Sequence, residues 1–406
     1  MNCGLLGRKL GHSYSKEIHA HLGAYSYRLI EKEPEELDAF FAQGDFTGLN
    51  VTMPYKKTVI PYLSQLSSVA EEMGAVNTIV RRADGTLIGH NTDYFGFQTM
   101  LKTSGVSVSG KKALVLGSGG AAVTAVQVLK HAGARVITVS RTGENNYQNL
   151  SLHADAALIV NATPVGMYPN TGKAPLDVSQ FSMLECVLDL IYNPARTQLM
   201  LDAENLGIPC YNGLLMLVAQ AKESAEWFTQ TQIPDSKIGE IHRILKCKME
   251  NLILIGMPGC GKTTVGKLLS EKTGKPFIDA DAYLENHFQK SIPDIFTQEG
   301  EEAFRLMETR VLDILGKGSG AIIATGGGCV TQERNYPLLH QNGTLFWLQR
   351  ELNKLPIEGR PLSKSGKLAQ MYEARRPMYQ RFADHLIDNN GDPCRAADEI
   401  LKIWEG

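Results

Sequence analysis

At 406 residues, with 43% hydrophobic and 21% charged side chains, the chain is too long for one ordinary core and too apolar to be largely disordered. Lys plus Arg (41) nearly balances Asp plus Glu (43), which argues against a protein that wraps nucleic acid or leans on a membrane surface. The seven cysteines (Cys3, Cys186, Cys210, Cys247, Cys260, Cys329, Cys394) form no CxxC pair, and no apolar run reaches the length of a signal peptide or membrane span, so a cytoplasmic protein with reduced thiols is expected.

The first hundred residues carry three compact polar clusters: GHSYSK at 11–16, NVTMPYK at 50–56, and GAVNT at 74–78 followed by HNTD at 90–93. Taken singly, each reads as a turn-rich loop. A βαβ beginning follows. Leu114, Val115 and Leu116 predict a buried parallel strand, residues 121–131 carry helical periodicity with Gly133 as a stop, and 135–139 is a second β-rich run. Gly117, Gly119 and Ala122 fit GxGxxA in the turn between them. Small residues there let the backbone, from Gly117 through Ser118, Gly119, Gly120 and Ala121, approach a pyrophosphate, and the helix start offers unpaired N–H groups. After the second strand an NAD enzyme usually places an acid; here stand Ser140, Arg141 and Thr142, which suit the 2′-phosphate of NADP(H). Apolar runs at 157–161, 186–190 and 208–211 continue the alternation toward a parallel sheet, and 214 to about 230 predicts a long helix.

Residues 246–248 hold no Gly/Ser or Pro tract, so no long flexible linker is expected there, and Met249 stands where a separate protein would begin. Residues 251–255 predict a strand and 262–272 a helix, with GMPGCGKT between them fitting GxxxxGK[ST]. Such a loop wraps phosphates in backbone N–H groups, here from Gly259, Cys260, Gly261 and Thr264. Lys262 reaches the phosphoryl group of ATP and Thr263 the Mg2+ ion. Runs at 321–325 and 344–348 read as later strands of the same sheet.

Together, the polar clusters and the dinucleotide turn resemble shikimate dehydrogenases over about residues 4–245. The resemblance implies a substrate-binding domain in residues 1–100 with a return helix at about 214–245, and a Rossmann NADP-binding domain in 101–213. It implies that Lys56 and Asp93 meet the substrate, an ammonium to protonate the alkoxide that hydride addition creates and a carboxylate to orient it. By the same resemblance Ser13 and Ser15 hold the substrate carboxylate, Thr52 and Asn77 meet its hydroxyls, Tyr192 and Gln220 close the site, and Gly213 lies beside the nicotinamide. Lys9 and Lys16 stand where the family commonly has proline.

Beyond the phosphate loop, FIDADAYLE (277–285), FRLME (304–308), IATGGGCV (323–330) and GRPL (359–362) occur in the order seen in shikimate kinases, over about residues 250–406. That resemblance implies a P-loop parallel-sheet domain of the NMP-kinase type. Asp281 would bind the acceptor hydroxyls and act as base, and Asp279 would support Mg2+ through water. Arg305 and Arg375 would clamp the carboxylate, a bidentate task suited to guanidinium. Backbone amides around Gly327 and Gly328 would contact the ring, and Arg360 would swing in on a lid that is several residues shorter than in typical members.

The expectation for the whole is an α/β enzyme of aromatic amino acid biosynthesis. It would reduce 3-dehydroshikimate to shikimate with NADPH and then phosphorylate shikimate with ATP. One alternative is a quinate/shikimate dehydrogenase using NAD, against which Arg141 stands. Another is a metabolite-sensing regulator built from degenerate copies, against which intact Lys56, Asp93, Lys262 and Asp281 stand. The oligomeric state is left open, a homodimer being one option.

Overall fold

The computed structural model describes residues 1–11, 13–355 and 365–405. The GRPL segment, with the expected lid residue Arg360, lies outside the described residues, as does His12. The chain divides into two compact units. The first comprises Met1–Val165, Ala174–Tyr192 and Asp202–Ile244, and the second Gly166–Lys173, Asn193–Leu201 and Leu245–Gly406.

The first unit holds two sheets. One contains β1 (Asn2–Gly7), β2 (Ser26–Glu31), β3 (Gly48–Val51), β4 (Gln65–Leu66), β5 (Thr78–Arg81) and β6 (Leu87–His90), in the order β2-β1-β3-β5-β6-β4. It is mixed: β1 runs parallel to β2 and β3, while β5 runs antiparallel to both β3 and β6. The ADGT sequence turns β5 into β6, with Gly85 at φ 87° and the Asp84 side chain accepting from the Thr86 N–H, a short-range hairpin signal. The helix Leu214–Thr229 packs across this sheet, burying Leu214, Val218, Ala221, Ala225 and Phe228. A Cβ on Gly48 of β3 would meet the Phe228 ring at 2.4 Å, so that strand needs a residue without a side chain.

The return helix expected at about 214–245 is two helices. The first ends where Gln230 turns left-handed at φ 54°, Pro234 follows, and a second helix runs over Ser236–Met249. Residues 246–248 therefore lie inside a helix.

The other sheet of the first unit contains β7 (Lys112–Leu116), β8 (Arg135–Val139), β9 (Leu158–Asn161), β10 (Cys186–Asp189) and β11 (Cys210–Tyr211), ordered β11-β10-β9-β7-β8 and parallel throughout. β9 and β10 are buried along their whole length, the signature of strands covered on both faces. The run at 208–211 shrinks to the two-residue β11. From β7 the chain moves to β8 on one side, whereas β9 lies on the other, so the loops after β7 and β9 part and leave a crevice.

The second unit has one sheet of β12 (Asn251–Ile255), β13 (Phe277–Asp279), β14 (Ile322–Ala324), β15 (Gly343–Gln349) and β16 (His385–Asp388), ordered β13-β14-β12-β15-β16 and parallel throughout. Leu252, Ile253, Leu254 and Ile255 of the central β12 are fully buried. The helix Lys262–Thr273 follows the phosphate loop directly.

Candidate active sites

In the first unit the polar clusters are tied to one another before any ligand is considered. Val76 N donates to the Lys56 carbonyl at 2.8 Å, and Val51 N to the Asn77 carbonyl at 2.8 Å, so the loops after β3 and before β5 are locked together. Asn77 is buried, and its side-chain oxygen accepts from Thr92 N at 2.7 Å and from the Thr92 and Thr78 hydroxyls at 3.2 Å. That leaves the amide nitrogen of Asn77 as the atom free to reach outward. Thr92 precedes the helix Asp93–Ser104, so the same bonds fix where that helix begins.

Lys56 Nζ donates to Asp93 Oδ2 at 2.5 Å, across 37 positions of sequence. Their side chains are 24% and 13% exposed, enough shelter to strengthen the contact and enough opening for a substrate. Gly96, one turn after Asp93, lets the helix Asp93–Ser104 press against the helix Leu214–Thr229: a Cβ there would meet the Met216 carbonyl at 2.7 Å and the Gln220 Cβ at 3.1 Å. Gln220 is thereby brought within a turn of Asp93. Ser13 accepts from Ser15 N at 3.2 Å, and Thr52 lies against Gly7. The Tyr192 ring stands edge-on to Tyr14 at 6.2 Å, and burial raises its phenol above the ordinary value.

The glycine turn leaves β7 at Gly117 (φ 111°), and the helix Gly120–His131 starts three residues later. Cβ atoms on Gly119 or Gly120 would meet nothing, so the space over these N–H groups is open for a dinucleotide phosphate. β8 pairs with β7 in register (Leu116 with Val139), which places Ser140, Arg141 and Thr142 beside that turn. Arg141 is exposed and, among the described residues, has no hydrogen bond or ion pair. Small residues, open N–H groups and an unengaged guanidinium fit NADP. Gly213 begins the helix Leu214–Thr229, pressed against the Leu190 carbonyl.

Two groups here escaped sequence reasoning. Asn161 and Asp189, both fully buried at the ends of β9 and β10, are joined by an Asn161 Nδ2 to Asp189 Oδ1 bond of 3.0 Å. Asn161 Oδ1 accepts from Thr163 N, and Asp189 Oδ1 from Ile191 N, so the pair shapes the loops after β9 and β10, the first of which rims the crevice. A polar residue closing each apolar run was the available signal.

The second unit has a cleft of about 780 Å³ lined by the phosphate loop, Asp279, Asp281, Arg305, Glu308, the Gly326–Gly328 run, Arg350 and Arg375. Gly256, Gly259 and Gly261 all take positive φ, the geometry that turns successive N–H groups inward. Lys262 Nζ donates to the Gly256 and Met257 carbonyls at 2.9 and 3.1 Å. The Thr263 hydroxyl donates to Asp279 Oδ2 at 3.0 Å, and Asp279 also caps the helix Ala280–Phe288 through Asp281 N and Ala282 N. Hydroxyl plus carboxylate at a phosphate loop is a donor set that suits Mg2+.

Burial raises the Asp281 carboxyl, against the pull of nearby Lys262. Arg305 is gripped by Glu308 at 2.8 Å and Glu301 at 3.1 Å, while Arg375 donates to the Gly327 carbonyl at 3.1 Å. The glycine run touches a different wall at each step. A Cβ on Gly326 would lie 2.7 Å from Asp281 Oδ1 and Glu308 Oε1, on Gly327 2.6 Å from Pro258, and on Gly328 2.4 Å from both terminal nitrogens of Arg305. Glu308 was passed over in the sequence, although it lies one turn from Arg305. It is buried, its Oε1 has no hydrogen-bond partner among the described residues, and burial raises its pKa.

Family models match residues 5–79 as the shikimate dehydrogenase substrate binding domain and residues 258–405 as shikimate kinase. A shikimate dehydrogenase (NADP(+)) of Clostridium perfringens strain SM101 is 35% identical over 269 residues, covering 60% of this chain and 98% of the relative. The chain belongs to the shikimate dehydrogenase family. A crystal structure of shikimate dehydrogenase 1 from Peptoclostridium difficile matches with a TM-score of 0.56 at 37% identity, covering 61% of this chain and 98% of that one. The Thermus thermophilus shikimate 5-dehydrogenase, solved in complex with NADP(H) and shikimate, matches with a TM-score of 0.55 at 30% identity, covering 60% and 99%. With the kinase domain behind it, the chain is a fusion of a shikimate dehydrogenase and a shikimate kinase. No helix among its described residues is long and apolar enough to cross a membrane.

Proposed function

We propose that the protein carries out two successive steps, reduction of 3-dehydroshikimate by NADPH and phosphorylation of the resulting shikimate by MgATP at its 3-hydroxyl. The observation that carries the first step is the Lys56–Asp93 contact, set where the loop after β3 meets the helix after β6. NADPH supplies the hydride. Lys56 Nζ then gives its proton to the alkoxide oxygen, while Asp93 holds the ammonium and accepts from a neighbouring substrate hydroxyl. Asn77 and Thr52 supply further partners for ring hydroxyls, Ser13 and Ser15 for the carboxylate, and Tyr192 and Gln220 cover the ring. The Gly117–Ala121 backbone holds the pyrophosphate, Ser140, Arg141 and Thr142 hold the 2′-phosphate, and Gly213 borders the nicotinamide. Arg141, with no acid beside it, supports NADP over NAD.

The second step rests on the cleft in which Lys262, Asp281, Arg305 and Arg375 converge. The loop N–H groups and Lys262 bind the phosphates, and Thr263 with Asp279 holds Mg2+. Arg305 and Arg375 hold the acceptor carboxylate beside Gly327 and Gly328, and Asp281 takes the proton of the attacking hydroxyl. Arg360 is the proposed lid cation. In domain terms, residues 1–100 with 214–245 bind the first substrate, 101–213 the dinucleotide, and 250–406 ATP and shikimate. The balanced charge supports a cytoplasmic enzyme of small acids rather than of nucleic acid.

The test is a coupled assay on the full chain with 3-dehydroshikimate, NADPH and MgATP, detecting shikimate 3-phosphate. Lys56→Met should stop NADPH consumption and leave shikimate-dependent ADP release, and Lys262→Ala should do the reverse. NADPH consumption that survives Lys56→Met would refute the role of that residue, and a wild-type chain that forms no phosphate ester would refute the second step.

A further inference from the structure

Three arginines line the cleft of the second unit, and two of them are engaged: Arg305 by Glu308 and Glu301, Arg375 by the Gly327 carbonyl. The third, Arg350, makes no hydrogen bond or ion pair among the described residues, and its Nε is buried without an acceptor. A guanidinium N–H withdrawn from water and left unpaired is costly, and proteins retain such groups where a ligand completes them. No sequence motif flagged it.

Its position says which ligand. Arg350 is the first residue after β15, and β15 lies beside β12, whose end opens the phosphate loop (Ile255 pairs with Trp347). A Cβ on Gly256 would lie 2.6 Å from the Leu348 carbonyl, so the loop leans directly on the end of β15. From β12 the chain departs toward β13, and from β15 toward β16 on the opposite side. The loops after these two strands therefore part, and their carboxyl ends form the crevice where open α/β sheets bind ligands. Of the groups assigned to the acceptor acid, Asp281, Gly327, Gly328 and Arg305 lie on the other flank of β12, and Arg375, on the helix Ser365–Phe382 after β15, is turned toward that flank by its bond to the Gly327 carbonyl. Asp281 follows β13, Gly327 and Gly328 follow β14, and Arg305 packs against Gly328.

We propose that Arg350 is a second nucleotide-phosphate-binding residue, a cation fixed on a strand end that acts with Lys262 on the phosphate chain of ATP and ADP. Unlike a lid arginine, it stands in the cleft without any closing motion, so it acts on diphosphate and triphosphate alike or on the terminal phosphate alone. This rests on the phosphorylation reading above.

The experiment is titration of the full-length protein with a fluorescent ADP analogue and with a non-hydrolysable ATP analogue, both with Mg2+, alongside steady-state kinetics with shikimate. Arg350→Met should weaken nucleotide binding about 10- to 100-fold, the loss expected for charge-assisted bonds, and Arg350→Lys should recover part of it. NADPH oxidation should stay at the wild-type value and the unfolding midpoint should not fall, which separates lost binding from lost folding. Weakening of both analogues assigns Arg350 to the inner phosphates, and weakening of the triphosphate alone assigns it to the terminal one; either supports the proposal. Unchanged nucleotide affinity in a folded variant overturns it, as does a rise confined to the KM for shikimate. A wild-type protein that binds neither analogue would sink the phosphorylation reading itself and this inference with it.

Discussion

Gly213→Ala is a one-carbon change with a calculable consequence. The glycine has φ −73°, which any residue adopts, so the obstacle to a side chain there is purely steric. Its Cβ would stand 2.1 Å from the Leu190 carbonyl oxygen and 2.6 Å from the carbonyl carbon. Carbon and carbonyl oxygen in close contact settle at about 3.3–3.6 Å, so one side must retreat by about 1 Å. The retreat cannot stay local. Gly213 N donates to the Ile191 carbonyl at 3.0 Å, and Ile191 N is held by Asp189, so the strain passes into the loop that carries Tyr192. A misplacement of about 1 Å can cost about 100-fold in rate, or roughly 2.7 kcal/mol of transition-state stabilisation. Overpacking adds about 1–3 kcal/mol of destabilisation. The assay is kcat/KM for NADPH oxidation with 3-dehydroshikimate, with shikimate-dependent ADP release from the same preparation as the internal control. We expect the first to fall about 100-fold and the second to hold. A variant within about threefold of wild type in both would refute the steric reasoning and the placement of Gly213 at the reacting ring.

Gly328→Ala drives a methyl into the terminal nitrogens of Arg305, and should raise the kinase KM for shikimate about 10-fold or more without touching NADPH oxidation; an unchanged KM would remove Arg305 from the carboxylate clamp. Burial raises the Asp281 carboxyl, and a base must be ionised, so kcat for phosphorylation should fall on acidification through a pKa above the ordinary carboxylate range. Asp281→Asn should lower kcat about 100-fold or more and abolish that acid limb in a pH–rate profile. Stability should also fall on acidification. Burial lowers His19 to about 3 and His90 to about 4, so between those values and about 6.5 the unfolded chain binds protons that the folded one refuses. Each contribution is complete above about pH 6.5 and is lost below it at up to about 1.4 kcal/mol per unit. Thermal melts at pH 7 and pH 5 should show the drop, and His19→Gln should reduce it; a melting point equal at both pH values would contradict the burial argument.

Local chemistry was the legible part. The phosphate loop, the GxGxxA turn and the strands on either side could be read directly, because buried parallel strands are short unbroken apolar runs and phosphate loops require glycine. Strands 135–139 and 251–255 fall where the pattern put them. The Lys56–Asp93 contact was legible only through family resemblance, since nothing in spacing brings residues 37 apart together. Long-range completion was illegible. Asn161 and Asp189 meet only when β9 and β10 pair, and the three glycines after β14 acquire their neighbours only in the folded cleft. The break at Gln230 was hidden for a further reason: glutamine gives no sign that it will turn left-handed, and Pro234 four residues on was the sole warning.

For anyone wishing to make the kinase half accept a bulkier or differently substituted acid, the glycine run after β14 marks the place not to begin. Each of its three positions is gauged against a different functional wall, two carboxylates, a proline of the phosphate loop and a guanidinium, so an added atom there disturbs machinery rather than shape. Ile292, Phe296 and Met371 line the same cleft with apolar side chains. Trimming those side chains enlarges the space at the cost of packing only, and a library built on them can explore acceptor scope while the phosphate and carboxylate anchors stay in register.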